Sequence, residues 1–325
     1  MSYSPEPVGS WSEQGWRRRF KEIKDRLLEL VILEISIMKR RHFLQTTLAS
    51  AIGIPAFALD ANNAYRKNIG IQLYTLRNEI KEDVAGTLKA VADAGYKQVE
   101  PYGFPNAGEM IAAAKDNGLA VNSSHFAWES VTDPEKKGVP KFTDILEKAK
   151  DAGLSHLVIP YVHAHNRKDA DGYMTLAERM NVAALEAKSA GIQLAYHNHA
   201  FEFQPLEGGY CGYDIFTKEF VPEMHFEVDV FWIKVGGKDP AELVRSLKRR
   251  VSQLHLKDLE NGTVVPNYGK LPNEAFQELG DGMIPMEPII EAAEEAGVAH
   301  CHVEQDQSPD PIASIQQSMK HLQSL

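Results

Sequence analysis

The chain has 325 residues, of which 43% are hydrophobic and 25% charged, and its formal net charge is −10 at pH 7. This composition is typical of a globular protein with a large core. An acidic chain without a basic stripe argues against nucleic-acid binding, because an acidic surface repels phosphate backbones. The sequence has two cysteines, Cys211 and Cys301, which are too few for a disulfide framework or a cysteine-rich zinc site. A single disulfide between them is possible.

The amino-terminal region carries a predicted export signal. Arg40 and Arg41 precede an uncharged run over 45–58, which ends in the small-x-small pattern Ala56-Phe57-Ala58. This order is typical of a twin-arginine signal peptide over 38–58. The run is shorter than the roughly twenty apolar residues of a membrane span. We therefore expect a periplasmic or otherwise exported protein with the twin-arginine machinery as a partner; a basic helix start before a core helix is the alternative.

Residues 1–37 do not fit this interpretation, because an export signal lies at the very N-terminus of a chain. They combine the run Arg17-Arg18-Arg19 with an amphipathic stretch from Phe20 to Ile37. A misassigned start codon, with Met38 as the true first residue, accounts for them. A real amphipathic regulatory helix is the alternative. Neither residues 1–37 nor the predicted signal over 38–58 is used to predict the fold.

From residue 67 onward, short apolar runs alternate with helical periods. Eight runs are predicted as strands buried by helices, because they are short and mostly rich in Val, Ile or Leu. They are Ile69–Leu73, Gln98–Glu100, Ala120–Ser124, His156–Val162, Gln193–His197, Phe226–Asp229, Gln253–Leu256 and His300–Glu304. The helical pattern is clearest over Val84–Ala94, Phe142–Ala152, Leu176–Ala190, Ala241–Arg249 and Met286–Ala296.

Four of the predicted helices end in Ala-Gly directly before a strand, at Gly95, Gly153, Gly191 and Gly297, which indicates helix C-caps. Eight strand–helix units in about 260 residues match the size of one (β/α)8 barrel. A doubly wound open sheet is the competing fold, but the first strand is not followed by the three glycines of a dinucleotide-binding loop. We predict an α/β fold, a single-domain TIM barrel over 67–325.

Polar side chains gather where the predicted strands end. In a TIM barrel the active site lies at the C-terminal ends of the strands. Six strands end in residues that can bind metal or move protons, namely Glu100, His125, His197 with His199, Asp229, His255 with Lys257, and His302 with Glu304. Mixed nitrogen and oxygen ligands without a thiolate suit Mn2+, Co2+, Mg2+ or Zn2+, with Mn2+ or Co2+ favoured. Taken singly, Asp229 as a turn cap and His255 as a core histidine stay open.

The motifs at these strand ends resemble the sugar phosphate isomerase/epimerase family, part of the xylose isomerase-like barrel superfamily with ketose 3-epimerases, keto-inositol dehydratase and endonuclease IV. They are Ile71-Gln72-Leu73-Tyr74, Gly95-Tyr96-Lys97-Gln98-Val99-Glu100, Tyr196-His197-Asn198-His199, Glu227-Val228-Asp229-Val230-Phe231-Trp232, Leu254-His255-Leu256-Lys257-Asp258 and Val303-Glu304-Gln305-Asp306. The resemblance runs from Ile69 to the C-terminus. It implies a metal held by residues that end strands five to eight, of which three correspond to Asp229, His255 and Glu304.

The chain departs from the family at strand five, where the usual Glu-Asn-His is replaced by His197-Asn198-His199. His197 stands at the usual Glu position, and we expect it to be the fourth ligand. Glu202 is the rival, because it could fold back to the metal. The change puts the simple epimerase mechanism in doubt, since the usual Glu also serves ketose epimerases as an acid and base.

These residues predict a divalent-metal-dependent isomerase or epimerase that removes the proton next to the carbonyl of a keto-sugar through an enediolate. The expected acids and bases are Glu100, His199 and Lys257, with the pKa of Lys257 depressed beside the cation. A solvent-exposed Lys257–Asp258 ion pair is the alternative for that lysine. We expect Tyr74, His125, Trp232 and His302 to contact substrate.

Three other functions compete with this one. Elimination from a 3-keto-glycoside or keto-inositol is the runner-up, because the Tyr-His-Asn-His pattern resembles that of enzymes acting on 3-keto sugars. A periplasmic sugar- or metal-binding protein without turnover is the second. A nuclease like endonuclease IV is disfavoured by the acidic charge and by too few histidines for three metals. The resemblance also implies a possible homo-oligomer.

Overall fold

The computed structural model describes residues 68–325, so the predicted extension over 1–37 and the predicted signal over 38–58 lie outside the described residues. The strands are β1 Gly70–Gln72, β2 Gln98–Glu100, β3 Ala120–Val121, β4 Ser123–His125, β5 His156–Ile159, β6 Gln193–His197, β7 Met224–Asp229, β8 Val251–Leu256, β9 Asp258–Leu259, β10 Phe276–Gln277 and β11 His300–Val303. The helices are α1 Arg77–Glu82, α2 Val84–Asp93, α3 Gly108–Asp116, α4 Glu129–Thr132, α5 Phe142–Ala152, α6 Ala170–Ser189, α7 Gly212–Glu219, α8 Val230–Val235, α9 Pro240–Leu247, α10 Met286–Ala296 and α11 Pro311–Ser324.

The main sheet is a parallel barrel. Its strands follow the order β3-β2-β1-β11-β8-β7-β6-β5-β4. Only Asn122 separates β3 from β4, so the two ends of this order meet and eight barrel strands close the cylinder. The strands β9 and β10 form a separate antiparallel pair after β8. The predicted TIM barrel is confirmed.

Capping residues define the helix ends as the sequence pattern indicates. Gly153 and Gly297 cap α5 and α10 with φ of 81° and 71°, a left-handed conformation that costs glycine little. The predicted helix from Leu176 begins earlier, at Ala170. The reason is the carboxylate of Asp169, which accepts a hydrogen bond from the backbone N–H of Gly172 and starts the helix before its apolar stripe begins.

The strands separate two unlike interiors. Their outward side chains, such as Val99, Val228 and Leu254, are fully buried against the surrounding helices and form the apolar core. The side chains that point into the cylinder are largely polar and equally buried: Gln72, Gln98, Glu100, Ser123, His125, His197, Glu227, Asp229, Gln253, His255 and His302. Buried polar groups have to pair with one another, and most of these side chains do so through hydrogen bonds across the barrel interior, such as those of Gln253 with Glu100 and Glu227.

Cys211 and Cys301 are buried and free, so the disulfide that the sequence left open does not form. Across residues 68–325, none of the helices has the length and apolar character needed to cross a membrane.

Candidate metal centre and active site

Four adjacent barrel strands carry the predicted metal ligands at one end. The parallel register places His197 beside Glu227, and Asp229 beside His255. In the next pair of strands, His255 lies beside His302. Glu304 follows His302 by two residues in the sequence. Because alternate residues of a strand face the same side, these side chains enter the cylinder together.

The four predicted ligands form one group, the mouth cluster: His197, Asp229, His255 and Glu304. One ligand atom from each residue lies within 4.8 Å of the others, and all four residues are buried. The structure thus brings together from four strands the set chosen from the sequence.

A second group, the inner cluster, consists of Glu100, His125, Glu227 and His255. Its ligand atoms also lie within 4.8 Å of one another, and all four residues are buried. His255 belongs to both groups through its two ring nitrogens. Nδ1 lies 2.8 Å from a carboxylate oxygen of Glu304, and Nε2 lies 2.8 Å from a carboxylate oxygen of Glu100.

Asp229 is oriented by the backbone around it. Its Oδ1 accepts hydrogen bonds from the N–H groups of Phe231 (3.0 Å) and Trp232 (3.2 Å), so that the carboxylate caps α8. The amide side chain of Asn198 accepts from the Asp229 N–H at 3.0 Å and donates to its carbonyl at 3.3 Å. The turn-cap role that the sequence left open is therefore filled by Oδ1, while Oδ2 faces His197 Nε2 at 3.2 Å and Lys257 Nζ at 3.0 Å.

The surroundings of Lys257 exclude the alternative of a solvent-exposed ion pair with Asp258. Lys257 is buried and does not pair with Asp258; its Nζ lies 3.0 Å from Asp229, 2.6 Å from Glu304 and 2.9 Å from Asp306. Burial alone would lower the pKa of Lys257, but the three carboxylates outweigh burial and raise this pKa well above its usual value. These carboxylates favour the ammonium form of Lys257, and the lower pKa expected beside a bound cation stays a prediction.

The mouth cluster fits a divalent cation by its own chemistry. Three carboxylates, those of Asp229, Glu304 and Asp306, face one ammonium, which leaves a buried excess of negative charge. The Nδ1 atom of His197 is buried without a hydrogen-bond partner. Carboxylate oxygens and imidazole nitrogens are the ligands that Mn2+, Co2+ and Zn2+ accept.

His199, predicted to be catalytic, lies beside the mouth cluster and is partly exposed. Its ring lies 5.1 Å from that of His197 and 5.3 Å from that of Trp232. Burial of the imidazole, with the charges of His197 and Lys257, holds the pKa of His199 well below its usual value. The imidazole is therefore neutral and offers one ring nitrogen as a hydrogen-bond acceptor.

The predicted substrate-contacting residues divide between two places. Tyr74, at 43% exposure, and the partly buried Trp232 lie just beyond the ends of β1 and β7. His125 and His302 instead lie inside the barrel. The predicted catalytic Glu100 lies there too, and it accepts hydrogen bonds from Gln72, Ser123 and Gln253.

Glu202, the rival ligand, lies outside both clusters. Its carboxyl oxygens accept hydrogen bonds from the Tyr196 hydroxyl and, at 2.9 Å, from the backbone N–H of His199. Burial outweighs these bonds and raises the pKa of Glu202 to about 8. Glu202 thus anchors the loop that follows β6, whereas His197 lies in the mouth cluster.

Three residues of the site were not among the candidates from sequence: Glu227, Gln253 and Asp306. Glu227 shares a face with Asp229, two residues on, and the same alternation links Gln253 to His255 and Asp306 to Glu304. The two-residue period was therefore the available signal. It gives the direction of a side chain, whereas the partner across the cylinder depends on how the barrel closes.

The fold and these clusters define a (β/α)8-barrel protein with a buried group of carboxylates and imidazoles at the mouth of the barrel. The xylose isomerase-like TIM barrel family matches residues 88–325. The chain belongs to this family.

Solved structures agree with this assignment. A sugar phosphate isomerase/epimerase from Parabacteroides distasonis is 25% identical, with a TM-score of 0.65 over 83% of this chain and 98% of that one. D-psicose 3-epimerase from Clostridium cellulolyticum, solved with D-tagatose, is 15% identical (TM-score 0.56; 79% and 97% covered). A probable 3-DHS dehydratase from Bacillus anthracis is 12% identical (TM-score 0.60; 79% and 98%). The last two share the fold. No curated protein matched the sequence.

Proposed function

We propose that the protein is a divalent-metal-dependent isomerase or epimerase that removes a proton next to the carbonyl of a keto-sugar. The observation that carries this proposal is the convergence of four ligand atoms, from His197, Asp229, His255 and Glu304, within 4.8 Å. The similarity to a sugar phosphate isomerase/epimerase supports it. A ketose as substrate is consistent with the epimerase solved with D-tagatose.

The mouth cluster would hold the cation, with Mn2+ as the first choice and Co2+, Mg2+ or Zn2+ as alternatives. A bound divalent cation would polarise the substrate's carbonyl oxygen and acidify the neighbouring C–H bond. His255 can offer Nδ1 as a ligand because its Nε2 faces Glu100 at 2.8 Å, which favours the tautomer with the proton on Nε2.

Side chains around the cluster supply the proton chemistry. His199 is neutral and partly exposed, so it can accept the proton of the substrate carbon. Lys257 keeps its proton and can donate a hydrogen bond to the oxygen on which negative charge develops. Tyr74 and Trp232 offer ring faces on which a sugar can stack.

Elimination from a 3-keto-glycoside or keto-inositol is the second candidate. His197 replaces the glutamate with which ketose epimerases of the family return the proton, and a site without that acid can expel a β-substituent instead. The same fold carries a probable dehydratase in Bacillus anthracis. A binding protein without turnover is the third candidate.

Two measurements separate these functions. Metal analysis should find a cation in the wild type that is lost in Asp229→Ala and in His255→Ala. The control is Glu202→Gln, which should keep the cation because Glu202 is a buried carboxylate outside the clusters. Keto-sugars incubated in D2O should then exchange the proton next to the carbonyl, whatever the product; NMR of the products identifies an epimer, an isomer or an eliminated group. Metal without exchange would indicate a binding protein, and a folded wild type that binds no metal would refute the proposal.

We also propose export through the twin-arginine pathway, which rests on the sequence of 38–58. A chain begun at Met38 should reach the periplasm, and the pair Arg40→Lys with Arg41→Lys should abolish transport, because the machinery reads the two arginines. Cell fractionation with a cytoplasmic marker measures this. Equal export of the chain begun at Met38 and of its double-lysine variant would contradict the proposal.

A further inference from the structure

Aromatic side chains lie at the mouth of the barrel beyond the ends of two neighbouring strands. Trp128 follows β4, and Tyr161 and His163 follow β5. All three residues are partly buried. Because the C-terminal ends of barrel strands lie at one rim, these residues, which we name the aromatic wall, share that rim with the mouth cluster.

The rings of the aromatic wall hold one another in place. The Tyr161 ring lies 6.3 Å from that of Trp128 and 5.8 Å from that of His163, with interplanar angles of 79° and 80°. The Trp128 and His163 rings are 6.0 Å apart. Among residues 68–325, the buried indole N–H of Trp128 has no hydrogen-bond partner, so ring packing sets the position of this side chain. The wall is therefore a surface formed before any ligand binds.

The wall begins where the proposed catalytic site ends. The ring of Tyr161 lies 5.4 Å from that of His199, which in turn lies 5.1 Å from that of His197 in the mouth cluster. Phe201 stacks on His199 at 5.2 Å and lies 5.6 Å from Tyr161, so it joins the two. Counted from the mouth cluster, the wall lies one ring beyond His199.

Polar groups beside the wall suit the hydroxyls of a sugar. Glu129, the first residue of α4, accepts a hydrogen bond from the Lys136 ammonium at 2.9 Å, and its Oε1 lies 3.2 Å from His163 Nε2. The side chains of Glu129 and His163 are 19% and 31% exposed, so a ligand can reach both. Sugar hydroxyls donate to a carboxylate, while the C–H face of a pyranose packs on an aromatic ring. Because Lys136 is already paired with Glu129, the site suits a neutral sugar better than a phosphate.

We propose that the aromatic wall is a subsite for a second, neutral sugar ring, so that the substrate is a keto-sugar joined by a glycosidic bond to another sugar residue. The inference rests on the proposed function, which puts the keto-sugar ring at the mouth cluster. That ring is bordered by His199 and Trp232, so the wall, one ring further out, is left to the second ring. The subsite fits either proposed reaction, epimerisation or elimination.

Matched sugars with one ring and with two rings test the subsite. D-Fructose is compared with lactulose, which adds a galactose ring, and methyl 3-keto-galactoside is compared with 3-keto-lactose, which adds a glucose ring. Ligand-detected NMR with the full chain and Mn2+ gives the dissociation constants. In at least one pair, we expect the wild type to bind the two-ring sugar about tenfold more tightly than its one-ring partner, as one stacked ring would provide.

Variants then locate the second ring. Trp128→Leu and Tyr161→Leu should each abolish the preference for the two-ring sugar, because each removes an aromatic face. The ratio of the two dissociation constants is the readout, since any effect on the shared keto-sugar ring cancels in it. Tyr210→Leu is the control, because it makes the same exchange at a residue that is 67% exposed and outside the wall, and it should keep the preference.

Equal affinities for one-ring and two-ring sugars in the wild type would overturn the subsite. A preference that both leucine variants keep would overturn it too, because the second ring would then bind elsewhere. Proton exchange in D2O reports separately on the proposed function: exchange without a preference refutes only the subsite, and a preference that depends on the wall but comes without exchange refutes only the enzymatic reaction. If no sugar binds, both are wrong. The wild-type comparison decides even where a leucine variant fails to fold, which thermal unfolding checks.

Discussion

At the scale of single residues, Lys257 balances the carboxylates of the mouth cluster. We expect Lys257→Met to reduce the free energy of unfolding of the metal-free protein by about 3–5 kcal/mol, since it leaves buried carboxylates without a counter-charge. Added Mn2+ should restore part of the loss by supplying positive charge. Urea denaturation with chelator and with Mn2+ measures both effects.

Lys188→Met is the matched control for Lys257→Met. The Lys188 ammonium lies 2.8 Å from Glu223, but its side chain is 66% exposed. Its removal should change stability by less than about 1 kcal/mol, because exposed ion pairs contribute little. Equal losses in the two variants would show that burial of Lys257 has no special effect.

Glu202 gives a prediction for pH. Its pKa is about 8 in the folded protein against an ordinary value of 4.5. Between these values the folded chain keeps a proton that the unfolded chain has released, so stability falls as pH rises through this window. Glu202→Gln cannot titrate, and its amide can pair with the same hydroxyl and N–H. Relative to wild type, it should gain at least about 2 kcal/mol between pH 5 and 8.

Urea denaturation with chelator at both pH values tests the Glu202 prediction. All other titrating groups are common to wild type and variant, so their effects cancel in the difference. Parallel stability curves for the two proteins would mean that Glu202 is ionised in the fold.

Residue-scale prediction from sequence is strongest where position at a strand end decides. The four predicted ligands lie at such ends and the structure brings them together, while their role as metal ligands stays a prediction. Sequence prediction missed the partners of Lys257, because Glu304 and Asp306 are far from it in sequence. Glu100 was expected to be catalytic and His302 to contact substrate, although both lie inside the barrel. Their depth depends on barrel closure and not on local pattern.

At the scale of elements, one carboxylate holds the segment after β10. Asp258 accepts hydrogen bonds from the backbone N–H groups of Leu259, Gly280, Gly282 and Ile284, at 2.8 to 3.0 Å. We expect Asp258→Ala to reduce the free energy of unfolding by about 3 kcal/mol, because several charge-assisted hydrogen bonds are lost together. Hydrogen exchange should rise at residues 280–284 before it rises in the barrel strands.

Asp239→Ala is the control for Asp258→Ala. Asp239 caps α9 through a single hydrogen bond to the Glu242 N–H at 2.8 Å. Its loss should cost about 1 kcal/mol, as for an ordinary helix cap. Unchanged exchange over 280–284 in Asp258→Ala would show that this segment is held by its other contacts.

Element boundaries show where periodicity stops being informative. The strands Gln98–Glu100 and Gln193–His197 have the bounds that the sequence predicts. The predicted strand Ala120–Ser124 is split at Asn122, whose carbonyl accepts hydrogen bonds from Ser155 and His156. That break depends on a neighbouring strand, which the local sequence does not specify.

At the scale of the whole molecule, the mouth cluster joins four of the eight barrel strands, so a cation there should stabilise the entire cylinder. Mn2+ at about 100 times its dissociation constant should add about 2.7 kcal/mol per site to the free energy of unfolding, since the unfolded chain lacks the assembled ligands. The melting temperature should rise steadily with the logarithm of Mn2+ concentration and fall with chelator. Asp229→Asn should lose this gain, because it removes a carboxylate of the mouth cluster without changing the shape of the side chain. A melting temperature that does not respond to Mn2+ in the wild type would mean that the buried carboxylates are balanced by protons alone.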